Sequence, residues 1–219
     1  MTLLREMFRQ ARAVFRQRWW LWLIFLALLG VGVSALLNKD ADWQHRCVVA
    51  DNRFASALTY WGDFPRGWLI LIAVLGLIGW RTGKRRIQIA ALAALLAGSC
   101  GGIEAHTFSS LIGRPRPSVE VPDRLHGFTI DRAYKSFPSG HTTCAFAVAI
   151  ALALTLPSLG IPAILVAALV AWSRMALNAH YPSDVWAGFW LGMFNALVFG
   201  LAARRCSVNV PSAGTTVKV

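Results

Sequence analysis

The chain predicts an all-α, polytopic membrane protein, a bundle of six transmembrane helices, and three observations lead there. Of its 219 residues 56% are hydrophobic and only 15% charged, with ten Trp and a mean hydropathy of +0.52. Too few polar side chains remain to cover a soluble globule of this size. The apolar residues gather into six runs, 19–37, 67–80, 87–103, 142–156, 161–172 and 185–203, and the cations collect in alternate connections between them. The length fits a single domain, 1–219. The same composition excludes intrinsic disorder, collagen-like repeats and disulfide-rich scaffolds.

The elements follow in order. Residues 1–18 carry Arg5, Arg9, Arg12, Arg16 and Arg18 and read as a basic amphipathic segment on cytoplasmic headgroups. At about 1.5 Å per residue the run 19–37 nearly matches a bilayer core of about 30 Å. Val33-Ser34-Ala35 resembles a signal-peptide cleavage site. The apolar stretch before it exceeds the usual h-region of about 7–15 residues, so a retained span is the reading preferred. A short helix is expected over 52–61, along the outer surface. The runs 67–80 and 161–172 are short, and their ends are completed by Pro65-Arg66 and by 173–177. Trp61, Trp68, Trp80, Trp172 and Trp186 sit near run ends, where an aromatic belt places them.

Six spans put both termini on one side. The terminal segments, 1–18 and 204–219, and the turn Arg81-Thr82-Gly83-Lys84-Arg85-Arg86 carry twelve cations against one acid, Glu6, while the opposite side nets +1. The positive-inside rule makes the first side cytoplasmic. The net charge of +12 is therefore mostly topology, and no nucleic-acid partner is expected. Cys100 and Cys144 fall inside spans, Cys206 at the cytoplasmic end, and Cys47 alone outside, so no outer bridge is available. The five His, at 45, 106, 126, 141 and 180, form no short metal-binding pair. Neither a repeat nor a glycine-rich nucleotide loop is present.

Chemistry concentrates in the outer loops. The loop 113–138 opens with Gly113-Arg114-Pro115-Arg116-Pro117, and Pro138-Ser139-Gly140-His141 leads into the fourth span. Ser139 suits an N-cap, and the helix it opens directs free N–H groups and a positive dipole end at the loop, which favours an anion. The fifth span ends in Ser173-Arg174, and His180-Tyr181-Pro182-Ser183-Asp184 follows after a short turn. Topology places Arg116, Ser139, His141, Arg174, His180 and Asp184 on one membrane face. Two guanidiniums and a helix N-terminus suit a tetrahedral oxyanion. One imidazole backed by a carboxylate suits a nucleophile, and the other a proton donor, which together describe phosphoryl transfer without a metal.

These residues carry a family resemblance. The chain resembles the type-2 phosphatidic acid phosphatase superfamily, integral-membrane lipid phosphatases whose motifs are K-x6-R-P, P-S-G-H and S-R-x5-H-x3-D. The second is complete at 138–141 and the third at 173–184, whereas the first keeps Arg116-Pro117 but has Ser109 at the lysine position. The resemblance implies that His180 attacks phosphorus to form a phosphohistidine, supported by Asp184, and that His141 protonates the leaving oxygen and later activates water. It implies that Arg116, Arg174, the Ser139 hydroxyl and the Gly140 N–H hold the phosphate oxygens at the outer face, with no metal or cofactor. Arg114 and Lys135 are the candidates to offset the missing lysine, and Arg114 and Ser109 are candidate extra phosphate contacts.

Glu104 and His106 fall in the outer part of the third span, where ionisable residues are functional candidates or interfacial pairs, and Asn195 is expected to bond a neighbouring helix. The implied activity is hydrolysis of a lipid phosphomonoester or pyrophosphate, of undecaprenyl pyrophosphate, phosphatidylglycerophosphate or phosphatidic acid type, at a bacterial plasma membrane. A lipid phosphotransferase or lipid A phosphatase using the same site, or a catalytically silent lipid-binding or transport protein, stands as the alternative.

Overall fold

The computed structural model describes residues 2–49, 52–119 and 125–208, so 209–219 of the expected tail and 120–124 of the long loop lie outside the described residues. Within them nine α-helices form: α1 Leu3–Gln17, α2 Trp19–Leu37, α3 Asp40–Cys47, α4 Arg53–Trp61, α5 Leu69–Arg81, α6 Arg85–Ile112, α7 Gly140–Thr155, α8 Pro157–Ala176 and α9 Pro182–Val208. A π-helical turn, Phe64–Trp68, leads into α5, and a 3-10 turn, Arg132–Tyr134, lies in the long loop. No strand occurs among the described residues.

The centre of the bundle is α7, which packs against α6, α8 and α9. Eleven of its sixteen residues are buried, most of them Ala, Thr or Val. Helix association inside a bilayer gains little from the hydrophobic effect, so it depends on close contact between small residues and on interhelical hydrogen bonds. Both are present. A Cβ on Gly188 would meet the Ser139 carbonyl oxygen at 2.7 Å, and one on Gly192 the Thr143 oxygen at 2.5 Å, so only glycine lets α9 lie this close to α7. Asn195 on α9 donates to Glu104 on α6 at 2.7 Å, which gives both polar side chains a partner.

Four helical segments, Phe64–Arg81, Arg85–Ile112, Pro157–Ala176 and Pro182–Ser207, are long and apolar enough to cross a membrane. A fifth exists only if α1 and the following helix, bent by 75°, count as one broken span. The expected count of six is thus not confirmed. Pro138 and Pro157 bracket α7, which at sixteen residues reaches only about 24 Å. The short runs lengthen as expected, since the π turn extends α5 back to Phe64 and α8 continues to Ala176. Helix α6 runs to Ile112, well beyond the apolar stretch, and so brings His106 and Ser109 to the end of the bundle where α7 begins.

The expected 52–61 helix is present as α4, capped by the Asn52 side chain, which accepts from the Ala55 N–H at 2.9 Å. Helix α1 is amphipathic and buries Met7, Ala11 and Val14 while packing on α9 and α6. Its end is tied down where Arg205 donates to Gln17 at 2.8 Å.

Candidate active site

Three chain segments converge at one end of the bundle. The first leaves α6 through Gly113, whose φ of +64° is the left-handed conformation that ends the helix, and whose absent Cβ would lie 2.1 Å from the Gly127 oxygen. Backbone bonds then pin the loop, Arg116 N–H to the Ala133 oxygen at 2.9 Å and Ser136 N–H to the Arg114 oxygen at 3.0 Å. The second segment enters α7 at Ser139. The third is the turn after α8, where the Ala179 and His180 N–H groups both donate to the Arg174 oxygen and Asn178 takes a φ of +52°. Ser139 N–H donates to the Asp184 oxygen at 3.0 Å and locks the second segment to the third.

His180 is 2% exposed, and its Nδ1 lies 2.8 Å from the Ser136 carbonyl oxygen. A carbonyl can only accept, so Nδ1 carries the proton and Nε2 keeps its lone pair. Burial, above all other influences, holds the His180 pKa below the ordinary imidazole value, so the ring is neutral near pH 7. Asp184 sits one helical turn on, fully buried, with Oδ2 at 3.7 Å from Nδ1, too far for a hydrogen bond. The tautomer is therefore fixed by the Ser136 carbonyl, and Asp184 acts on the ring through its charge. That carboxylate is itself firmly held: it accepts from Arg114 Nη1 at 2.8 Å, from the Tyr181 N–H at 2.8 Å and from the Ser136 hydroxyl.

In front of His180 opens a cavity of about 730 Å³, larger than a bare phosphate needs. Arg116, Ser109, Gly140, His141 and Arg174, all singled out from the sequence, line it with His180. The Nε atoms of Arg116 and Arg174 are buried without a partner among the described residues, and unpaired buried donors of this kind suit an anion. Burial lowers the pKa of Arg116, yet Arg remains charged at any physiological pH. Arg174 is steadied by Thr59 of α4, whose hydroxyl accepts from Nη1 at 3.2 Å.

Two predicted phosphate contacts are not among the residues that line the cavity. Ser139 takes the N-cap position, but its buried hydroxyl makes no capping bond and accepts from Thr142 Oγ1 at 3.0 Å, away from the cavity lining. Arg114 is 2% exposed and turned inward. It donates to Ser183 Oγ at 2.7 Å, Asp184 Oδ1 at 2.8 Å and Asp40 Oδ2 at 3.0 Å, and it stacks over Tyr181, whose ring centroid is 4.2 Å away.

The sequence reading missed Asp40, Asp63, Thr59 and Ser136. Asp40, on α3, accepts from the Ser183 N–H at 2.9 Å as well as from Arg114; burial raises its pKa, and these partners work against that rise. Asp63 lines the cavity with one oxygen 3.5 Å from His141 Nε2 and the other 2.7 Å from Arg66. Only the placement of both residues in an outer loop, shared with many bystanders, hinted at them.

A buried imidazole backed by a carboxylate, facing two guanidiniums and a second imidazole at one end of an apolar helical bundle, suits a membrane protein that handles phosphate. The chain belongs to the PAP2 superfamily, whose family model matches residues 86–206. It is similar to the lipid A 1-phosphatase of Rhizobium etli, 29% identical over 204 residues that cover 86% of this chain and 87% of that protein. It is also similar to the decaprenylphosphoryl-5-phosphoribose phosphatase of Mycobacterium tuberculosis, 34% identical over 145 residues covering 63% and 72% respectively. Its fold matches the crystal structure of a PAP2-type phosphatidylglycerolphosphate phosphatase from Bacillus subtilis with a TM-score of 0.61, at 22% identity and covering 94% of this chain and 99% of that one.

Proposed function

We propose that this chain is a single-domain lipid phosphatase that hydrolyses its substrate through a phosphohistidine. The observation that carries the reading is the orientation of His180: Nδ1 is committed to the Ser136 carbonyl, which leaves Nε2 for the cavity that Arg116 and Arg174 line. Burial, with the Arg174, His180, Arg116 and Arg66 charges, lowers the His141 pKa to about 3, and a phosphate dianion bound among those guanidiniums offsets them, so that His141 takes up a proton with the substrate. Nε2 attacks phosphorus as the bond to the lipid oxygen breaks, and His141 gives that oxygen its proton. His141, now neutral, takes a proton from water, whose oxygen attacks the phosphohistidine and releases inorganic phosphate. Arg116, Arg174 and the N–H of Gly140 hold the non-bridging oxygens as charge builds, the task a divalent cation performs in other phosphoryl-transfer sites. Asp184 stabilises the charge that develops on His180.

The substrate class is a lipid phosphomonoester or pyrophosphate. A cavity wider than one phosphate admits part of the head group, and the relative aligned over most of the chain, a lipid A 1-phosphatase, supports a phosphorylated glycolipid among the candidates. The site is assigned to the outer face of a bacterial plasma membrane, with both termini cytoplasmic, because the Arg81–Arg86 turn lies at the end of the bundle opposite to it.

The test is phosphate release from a panel of these lipids by the detergent-purified protein in excess EDTA, with His180→Ala alongside. Turnover that survives chelation and disappears in the variant supports the reading. Turnover retained by His180→Ala, or lost with chelation, overturns it, and transfer to an added lipid acceptor instead of water would redefine the protein as a phosphotransferase.

A further inference from the structure

The first motif of the family that this chain resembles places a lysine where this chain has Ser109. Ser109 lines the cavity, but its hydroxyl donates back to the His106 carbonyl of its own helix at 3.0 Å and brings no charge. Arg114 is committed to Asp40, Ser183 and Asp184 behind the cavity wall. Lys135, which lines the same cavity, comes from the loop facing α6. Its Nζ lies 3.4 and 3.3 Å from the two ring nitrogens of His106.

His106 and Ser109 are three residues apart on α6, hence neighbours about 5–6 Å apart on one face. The Lys135 ammonium therefore occupies the neighbourhood that a lysine at 109 would reach. Burial, and then the charges of Arg132 and Arg116, lower the Lys135 pKa, so the ammonium lies within reach of the Arg116 charge that also faces the cavity. Cations held within mutual repulsion are relieved by an anion placed between them.

We propose that Lys135 replaces the motif lysine, supplying a cationic phosphate contact from the loop while docked on His106. This rests on the phosphate-pocket reading above. It makes Lys135 a binding residue and Ser109 a consequence of it, since a lysine at 109 would duplicate the charge.

The experiment compares the wild-type protein with Lys135→Gln, Lys135→Arg, Ser109→Lys and the double variant Lys135→Gln/Ser109→Lys. Affinity for inorganic phosphate and for vanadate is measured alongside kcat/KM on the lipid panel. Loss of one charge-assisted contact is expected to weaken phosphate binding about tenfold or more in Lys135→Gln. Lys135→Arg should keep most of the affinity, and the added Ser109→Lys should restore most of what Lys135→Gln loses. Wild-type affinity in Lys135→Gln, or no recovery in a folded double variant, overturns the proposal. Should Ser109→Lys fail to fold, equal loss in Lys135→Arg and Lys135→Gln overturns it instead. The phosphate-binding arm judges Lys135 whether or not turnover is seen, whereas failure of the phosphatase reading shows in the lipid assay with His180→Ala.

Discussion

Asp40 Oδ2 and Arg114 Nη2 lie 3.0 Å apart in a site where each side chain is 3% exposed. Through its other nitrogen Arg114 reaches Asp184 at 2.8 Å, so a residue of α3 braces the carboxylate beneath the proposed nucleophile. Gln44 of the same helix donates to the Met175 carbonyl at 2.8 Å and fastens α3 to the end of α8. The connection between α2 and α4 therefore helps to hold the carboxylate that lies behind His180.

Arg114→Ala strands two buried carboxylates. Stability should fall by roughly 3–5 kcal/mol, the usual effect of removing one partner of a buried ion pair. Thermal unfolding in detergent measures it. Arg114→Lys should recover only part, because one ammonium cannot span Asp40 and Asp184 as the guanidinium fork does. In any folded variant kcat should drop while KM changes little, since the cavity lining is untouched. A KM increase with kcat preserved would instead return Arg114 to the role of a direct phosphate contact.

His180→Ala removes the nitrogen proposed to attack phosphorus. A loss of at least about a thousandfold in turnover is expected, as for other nucleophiles of covalent mechanisms. The stability change should be no more than about 1–2 kcal/mol, the hydrogen bond to Ser136 plus a small cavity. Trapping of ³²P on the wild-type protein, absent from the variant, is the direct check.

The pH dependence of kcat/KM carries the sign of the His180 environment. The nucleophile must be unprotonated, and burial holds its pKa below the ordinary value. The acid limb that reports His180 in the free enzyme should therefore fall below about pH 6.5. An acid limb centred above pH 7 would mean that the imidazole is stabilised in its charged form, against the geometry found.

Asp63→Asn tests whether the 3.5 Å approach to His141 supports its work as an acid. Burial and the surrounding cations lower the His141 pKa to about 3, and a carboxylate 3.5 Å away works against them, so its removal should slow expulsion of a lipid alkoxide by about tenfold or more. Hydrolysis of p-nitrophenyl phosphate, whose leaving group departs without a proton, should be far less affected. Equal losses on both substrates would assign Asp63 a structural role through Arg66.

Much of this was legible in the residues. The apolar runs announced the helices, and the motif spacing placed His180 and Asp184 one turn apart at the mouth of α9, because helix geometry converts local spacing into direction. Gly113 and Pro138 marked the boundaries that present Arg116 and His141. What spacing could not convey was which way a side chain turns when partners come from distant segments. Arg114 and Arg116 are two residues apart, yet one faces the cavity and the other meets Asp40, 74 residues away in the chain. The six-run count stays unconfirmed because α7, packed against α6, α8 and α9, is only sixteen residues long and the helices at 3–17 and 22–37 meet at a 75° bend. The chemical inventory and the helical scaffold are thus written in local sequence, whereas the support of Asp184 by Asp40 and the delivery of Lys135 to the vicinity of Ser109 arise only when the packed helices bring remote charges within a few ångströms, where desolvation makes each depend on its partner.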